Sequence, residues 1–144
     1  MPSFRCIVAT PTREMFLGEI ESATVPSAEG DMGILGGHEN FVGINRGGLV
    51  TLTLDAAGKE KKQFLVQGGF TQMMNNHLAI LPRFGHKIED ITLEHAEAQT
   101  AALTEELKVL EEKGDEHDEP EIESLQARLG WYATQIKYFK HEVM

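Results

Sequence analysis

Apolar and polar residues alternate along this chain with two different periods, and the change falls near residue 90. In the first stretch the repeat is two: Val50, Leu52 and Leu54 alternate with Thr51 and Thr53, and Leu78 and Ile80 with His77 and Ala79. A period of two sends successive side chains to opposite faces of a strand. Turn-forming residues recur about every ten positions, at Glu29-Gly30-Asp31, Gly36-Gly37, Gly47-Gly48, 55–58, Gly68-Gly69 and Asn75-Asn76. Short alternating strands at that spacing predict a sandwich or barrel. Asn75-Asn76 suits a two-residue hairpin turn because asparagine tolerates positive φ. Pro82 lacks a backbone donor and marks the end of the following strand.

Beyond residue 90 the repeat becomes helical. Leu93, Ala96, Thr100, Leu103, Leu107 and Leu110 step alternately by three and four, as do Ile122, Leu125, Leu129, Tyr132, Ile136, Phe139 and Val143. Each set forms one seam on a helix. Thr92 is placed to cap the first helix, with Glu94 adding negative charge to its first turn. Gly114 is placed to stop it, and Pro120 to open the second. So short a loop makes the helices antiparallel neighbours. The predicted fold is therefore α+β: an N-terminal all-β sandwich over residues 1–87, then a C-terminal antiparallel two-helix hairpin over residues 88–144. Two helices bury their seams only partly against each other, while every ordered residue loses backbone entropy. Such a hairpin closes weakly, which makes it a mobile, regulatory element.

Charge sharpens the division. The 144 residues hold 13 Lys and Arg against 23 Asp and Glu, a formal net charge of −10, which argues against nucleic acid as a partner. Residues 1–91 hold 8 basic and 10 acidic side chains; residues 92–144 hold 5 and 13. Yet from Ser124 onward Arg128, Lys137 and Lys140 face the single acid Glu142, so the last helix is locally basic. It reads as a helix that docks on an acidic partner, with Trp131 and Tyr138, off the seam, as exposed anchors. The lone cysteine, Cys6, lies in an alternating run and reads as a small buried hydrophobe in a reducing compartment. No apolar run is long enough to span a bilayer, and the opening residues do not resemble a signal or transit peptide.

Catalytic chemistry is hard to find. The glycine-dense run from Glu29 to His38 has neither the G-x-G-x-x-G pattern nor a G-K-[ST], and strand follows it, so no helix N-terminus awaits a phosphate. It reads as a set of turns. The histidines, among them His38, His95 and His117, are dispersed without metal-ligand spacing, and the acidic loop at residues 113–120 reads as solvated. No nucleophile is set beside a base. The expectation is no catalytic residue, no cofactor and no metal.

The glycine-rich block Glu29-Gly30-Asp31-Met32-Gly33-Ile34-Leu35-Gly36-Gly37-His38, the opening strand Cys6-Ile7-Val8-Ala9-Thr10-Pro11, the Gly68-Gly69-Phe70 turn and the terminal hairpin together resemble the epsilon subunit of the rotary F-type ATP synthase. That resemblance spans essentially the whole chain and is strongest over residues 4–82. It implies a non-catalytic central-stalk component whose partners are the gamma subunit and the c ring. It places Glu29, Asp31 and His38 at the stalk and ring junction. The hairpin would lie folded or open toward the alpha/beta catalytic hexamer and impede ATP hydrolysis, with Arg128, Lys137 and Lys140 meeting an acidic loop of the beta subunit. The implied location is the cytoplasmic face of the bacterial plasma membrane, peripheral and through the complex alone. Two departures stand out. Gly36 and Asn40 occupy places where the family usually has proline. Thr92 and His95 replace the Asp and Arg of a nucleotide-binding pattern found in many bacterial members, so no nucleotide site is expected. The alternative reading is a stand-alone adaptor for protein–protein contacts.

Overall fold

The computed structural model describes residues 3–140. The seam position Val143 and the acid Glu142 lie outside the described residues. The chain divides into two compact units, with the boundary between Asp90 and Ile91.

The first unit is a sandwich of two five-stranded sheets. The first sheet runs in the order β2 (Arg13–Ile20), β1 (Phe4–Thr10), β9 (His77–Leu81), β8 (Phe70–Met74), β5 (Phe41–Ile44). The second runs β10 (Phe84–Lys87), β7 (Lys61–Gln67), β6 (Gly48–Thr53), β3 (Ser22–Ser27), β4 (Gly30–Leu35). Pairing is antiparallel except between β1 and β9. The turn chemistry follows the sequence closely. Asn75 and Asn76 take φ values of 49° and 65° between β8 and β9, as a tight hairpin with right-twisted strands requires. Pro82 follows the last residue of β9.

Alternation along the strands sends one set of residues inward. Val8, Ile20, Ile34, Val50, Leu52, Phe64, Met73 and Ile80 are fully buried and form one continuous core. Cys6 lies in that core, and burial pushes its thiol up to about 12. Gly69 is held where no other residue fits: its φ is +70°, and an added Cβ would stand 2.0 Å from the Leu81 carbonyl oxygen. A 3-10 turn at Ile88–Asp90 closes the unit.

The second unit is the helical hairpin, α1 (Leu93–Lys113) and α2 (Glu119–Phe139). The Thr92 hydroxyl accepts a hydrogen bond from the His95 backbone N–H at 3.2 Å, satisfying one of the donors left open at a helix start. Gly114 ends α1 in the left-handed conformation at φ 65°. A 3-10 turn at Glu116–Asp118 then leads to Pro120 in the first turn of α2. Along the seams Ala96, Leu103 and Leu125 are buried, and Leu107, Leu110, Ile122, Leu129, Tyr132, Ile136 and Phe139 are half-buried. Thr100, the polar member, returns its hydroxyl to the Ala96 carbonyl at 2.8 Å.

The seam is not the only buried face of α2. Trp131, Thr134 and Gln135 are also buried, and with half-buried Tyr138 they occupy i, i+3, i+4 and i+7, one side of the helix. The expectation of an exposed Trp131 is therefore corrected: only 4% of it is accessible. The three-four repeat registers a single stripe, and the polar Thr134 and Gln135 disguise the second.

Candidate functional site

The glycine-rich block forms the edge strand β4 and the turns at either end of it. Ahead of it the Ser27 hydroxyl accepts the Glu29 backbone N–H at 3.1 Å, and Gly30 takes φ 126°, which turns the chain into the strand. The Glu29 side chain is exposed. Asp31 accepts from the Arg46 guanidinium at 2.5 Å, with both side chains open to solvent. An ion pair so exposed contributes about 0–1 kcal/mol, so its value lies in orientation more than in stability.

His38 lies beyond the other end of β4. Its Nδ1 is 2.9 Å from the Glu39 carbonyl oxygen, which can only accept, so Nδ1 carries the proton. Its ring meets Phe41 edge-on at 5.2 Å between centroids. Glu29 and His38 thus flank a six-residue strand of roughly 20 Å, at about 3.3 Å per residue. Glu29, Asp31 and His38 form a line along one edge of the sandwich and not a cluster.

The loop that carries His38 is held from across the sandwich. The Gly37 N–H donates to Asn76 Oδ1 at 2.8 Å, and the Asn75 N–H donates to Asn40 Oδ1 at 2.9 Å. These reciprocal bonds tie residues 36–40 to the β8–β9 turn. Asn40, standing where the family usually has proline, replaces a stiff ring with a cross-link.

An apolar solvent-facing surface on the sandwich escaped the sequence pattern. On the outer face of the first sheet, cross-strand register aligns Leu17, Ile7, Ala79, Gln72 and Val42 in one row across all five strands. Leu81, Phe70 and Ile44 align beside it. Val42 is 66% and Ile44 69% exposed, and Leu17, Phe70 and Met74 are exposed as well. An apolar cleft of about 400 Å³ lined by Ala9, Pro11, Phe70, Leu81 and Pro82 continues this surface. Alternation separates the two faces of a strand without saying which is covered. Apolar residues on the second face, such as Ile7 beside Val8, were the available signal.

On the hairpin, Arg128, Lys137 and Lys140 are exposed. Thr92 and His95, which replace the Asp and Arg of the nucleotide pattern, have structural work instead. Thr92 caps α1, and the His95 ring stands edge-on to Tyr132 at 5.9 Å. Among the described residues no group of His, Cys, Asp and Glu is placed to hold a metal ion, and no helix is long and apolar enough to cross a membrane.

Comparison with known proteins agrees with this architecture. Residues 3–84 match the family model for the ATP synthase delta/epsilon chain, beta-sandwich domain. The ATP synthase epsilon chain of Bradyrhizobium sp. (strain ORS 278) is 33% identical over 122 residues, 82% of this chain and 84% of that one. That of Solibacter usitatus (strain Ellin6076) is 34% identical over 91 residues, 63% of this chain and 66% of that one. The fold resembles a chain in a cryo-EM structure of the Euglena gracilis mitochondrial ATP synthase, with a TM-score of 0.61 at 19% identity, over 95% of this chain and 81% of the other. With its sandwich, glycine-rich edge strand and helical hairpin, the chain belongs to the epsilon-chain family of the F-type ATP synthase.

Proposed function

We propose that the chain is a non-catalytic rotor subunit of a proton-translocating ATP synthase, its sandwich clasping the gamma subunit and resting on the c ring. The observation that carries this reading is the apolar outer face of the first sheet. Five exposed large side chains on or beside two aligned rows, Leu17, Val42, Ile44, Phe70 and Met74, make the kind of contiguous surface that marks a protein interface. Gamma is the occupant assigned to it. Along β4, Glu29 and Asp31 are exposed and His38 is half-buried, polar groups that suit contact with the ring's polar loops. The hairpin acts on the alpha/beta hexamer through Arg128, Lys137 and Lys140, restraining ATP hydrolysis. Location follows from the complex: peripheral, on the cytoplasmic face of the bacterial membrane.

The test is recovery of the rotor. Val42→Asp with Ile44→Asp places two charges on exposed positions that leave the core untouched. A tagged wild-type chain is expected to recover gamma and c subunits from its own cells, and the double variant to recover neither. Recovery by the variant at the wild-type level would refute this face as the gamma contact. A wild-type chain that recovers no synthase subunit would favour the adaptor reading.

A further inference from the structure

Strands β7 and β10 have different lengths, and the mismatch leaves a notch. β10 pairs only with Phe64–Gln67 of β7, after which the chain turns away at Ile88 into a 3-10 turn. Lys61, Lys62 and Gln63 pair with β6 on one side and have no strand on the other. In an antiparallel sheet alternate residues turn their N–H groups to each side, so this open step presents backbone donors. The cleft at the step measures about 390 Å³ and is lined by Lys61, Lys62, Lys87, Gln63, Ile88 and Glu89; Phe64 closes its floor.

Three of the chain's 13 basic residues meet here, in a molecule whose net charge is −10. Among the described residues none of the three has a carboxylate within ion-pair reach, although Glu89 lines the same cleft. The Lys62 ammonium stands 5.8 Å from the centre of the Phe16 ring, a contact that steadies its stem and leaves its donors open. Lysines on an edge strand also serve to deter unwanted strand pairing. That role is open to Lys87, on the edge strand β10, and equally to Lys61 and Lys62, on the stretch of β7 that has no outer neighbour, but it does not account for the cleft the three line together. Lysines that approach the open step from both faces of β7, beside unpaired backbone donors, suit a ligand with several negative oxygens.

We propose that this notch binds a multivalent anion of the phosphate class, a short phosphate chain held by Lys61, Lys62 and Lys87. Every residue of the site belongs to the sandwich unit. The same chemistry is available from a soluble polyphosphate or from a phosphomonoester lipid headgroup, and the test distinguishes them.

Sodium tripolyphosphate is titrated calorimetrically into the full chain at fixed ionic strength, alongside the paired variant Lys61→Ala/Lys87→Ala and a Lys59→Ala control that alters a lysine outside the cleft. Saturable binding that weakens by about tenfold or more in the paired variant, stays unchanged in the control and declines with added salt is the expected result. A parallel arm measures sedimentation with phosphatidylcholine vesicles with and without phosphatidic acid. Retention on the acidic vesicles alone, lost in the paired variant, would identify the headgroup as the source. Unaltered melting temperature of the variants without ligand guards against misfolding. No saturable binding in either arm, or equal binding by wild type and the paired variant, would overturn the proposal.

Discussion

At the scale of single residues, backbone geometry decides more than side-chain identity. Gly69 combines a left-handed φ with a neighbouring carbonyl that occupies the space of a Cβ, so Gly69→Ala must move the backbone where β9 ends. The expected loss of unfolding free energy is about 3 kcal/mol or more, against about 1–2 kcal/mol for Gly30→Ala. The difference arises because an added methyl at Gly30 meets nothing within 4 Å. Urea denaturation of the two variants measures both. Cys6 gives an alkaline signature. Burial raises its folded-state value from 9.0 to about 12, so above pH 9 the unfolded chain sheds a proton that the folded chain keeps. This group's contribution is intact below that point and falls by up to about 1.4 kcal/mol per pH unit as pH climbs toward 12. Urea midpoints on either side of pH 9 should show that slope, and Cys6→Val should flatten it. Asn75-Asn76, Pro82, Thr92 and Gly114 were legible in the sequence because each role is local: a φ value, a missing donor, a cap. Trp131 was not, since its burial depends on a second side of α2 that a one-stripe periodicity does not register.

At the scale of elements, the contrast is between a sandwich sealed by its core and a hairpin sealed by few groups. Only Leu103 and Ala96 on α1, and Leu125 on the α2 seam, are fully withdrawn from water. Leu103→Ala removes the largest buried side chain on α1 and should cost about 2–3 kcal/mol, toward the low end for a core leucine because the site is only two helices thick. Hydrogen exchange should accelerate in both helices together while the amides of β1, β6 and β9 keep their protection. Acceleration spread equally across the sheets would show that hairpin and sandwich open as one. The passage from strands to helices followed from the change of period near residue 90, although the expected division at 87/88 falls three residues before the one observed between Asp90 and Ile91. The outer face of the first sheet did not, because a row such as Leu17, Ile7, Ala79 and Val42 comes from distant parts of the chain and exists only once register is set.

For the molecule as a whole, charge is unevenly distributed. Acidic side chains crowd α1, the loop after it and the first turn of α2, while Arg128, Lys137 and Lys140 lie exposed toward the end of the hairpin and Lys61, Lys62 and Lys87 line the notch beside β7. If the hairpin restrains the catalytic hexamer, removing residues 88–144 should raise ATP hydrolysis by the assembled complex several-fold without preventing assembly. Charge reversal at Lys137 and Lys140 should reproduce part of that rise. Unchanged rates in the truncated complex would assign the hairpin another task.

The asparagine cross-links at residues 36–40 also provide a path along which a mechanical load could travel. A surface loop pressed by a turning ring would ordinarily give way and dissipate work. Here a push on residues near His38 passes through two hydrogen bonds into the β8–β9 turn and then along continuous strands. If the sandwich rests on the ring as proposed, these bonds would let it behave as a stiff washer in a shaft, with little torque lost to bending.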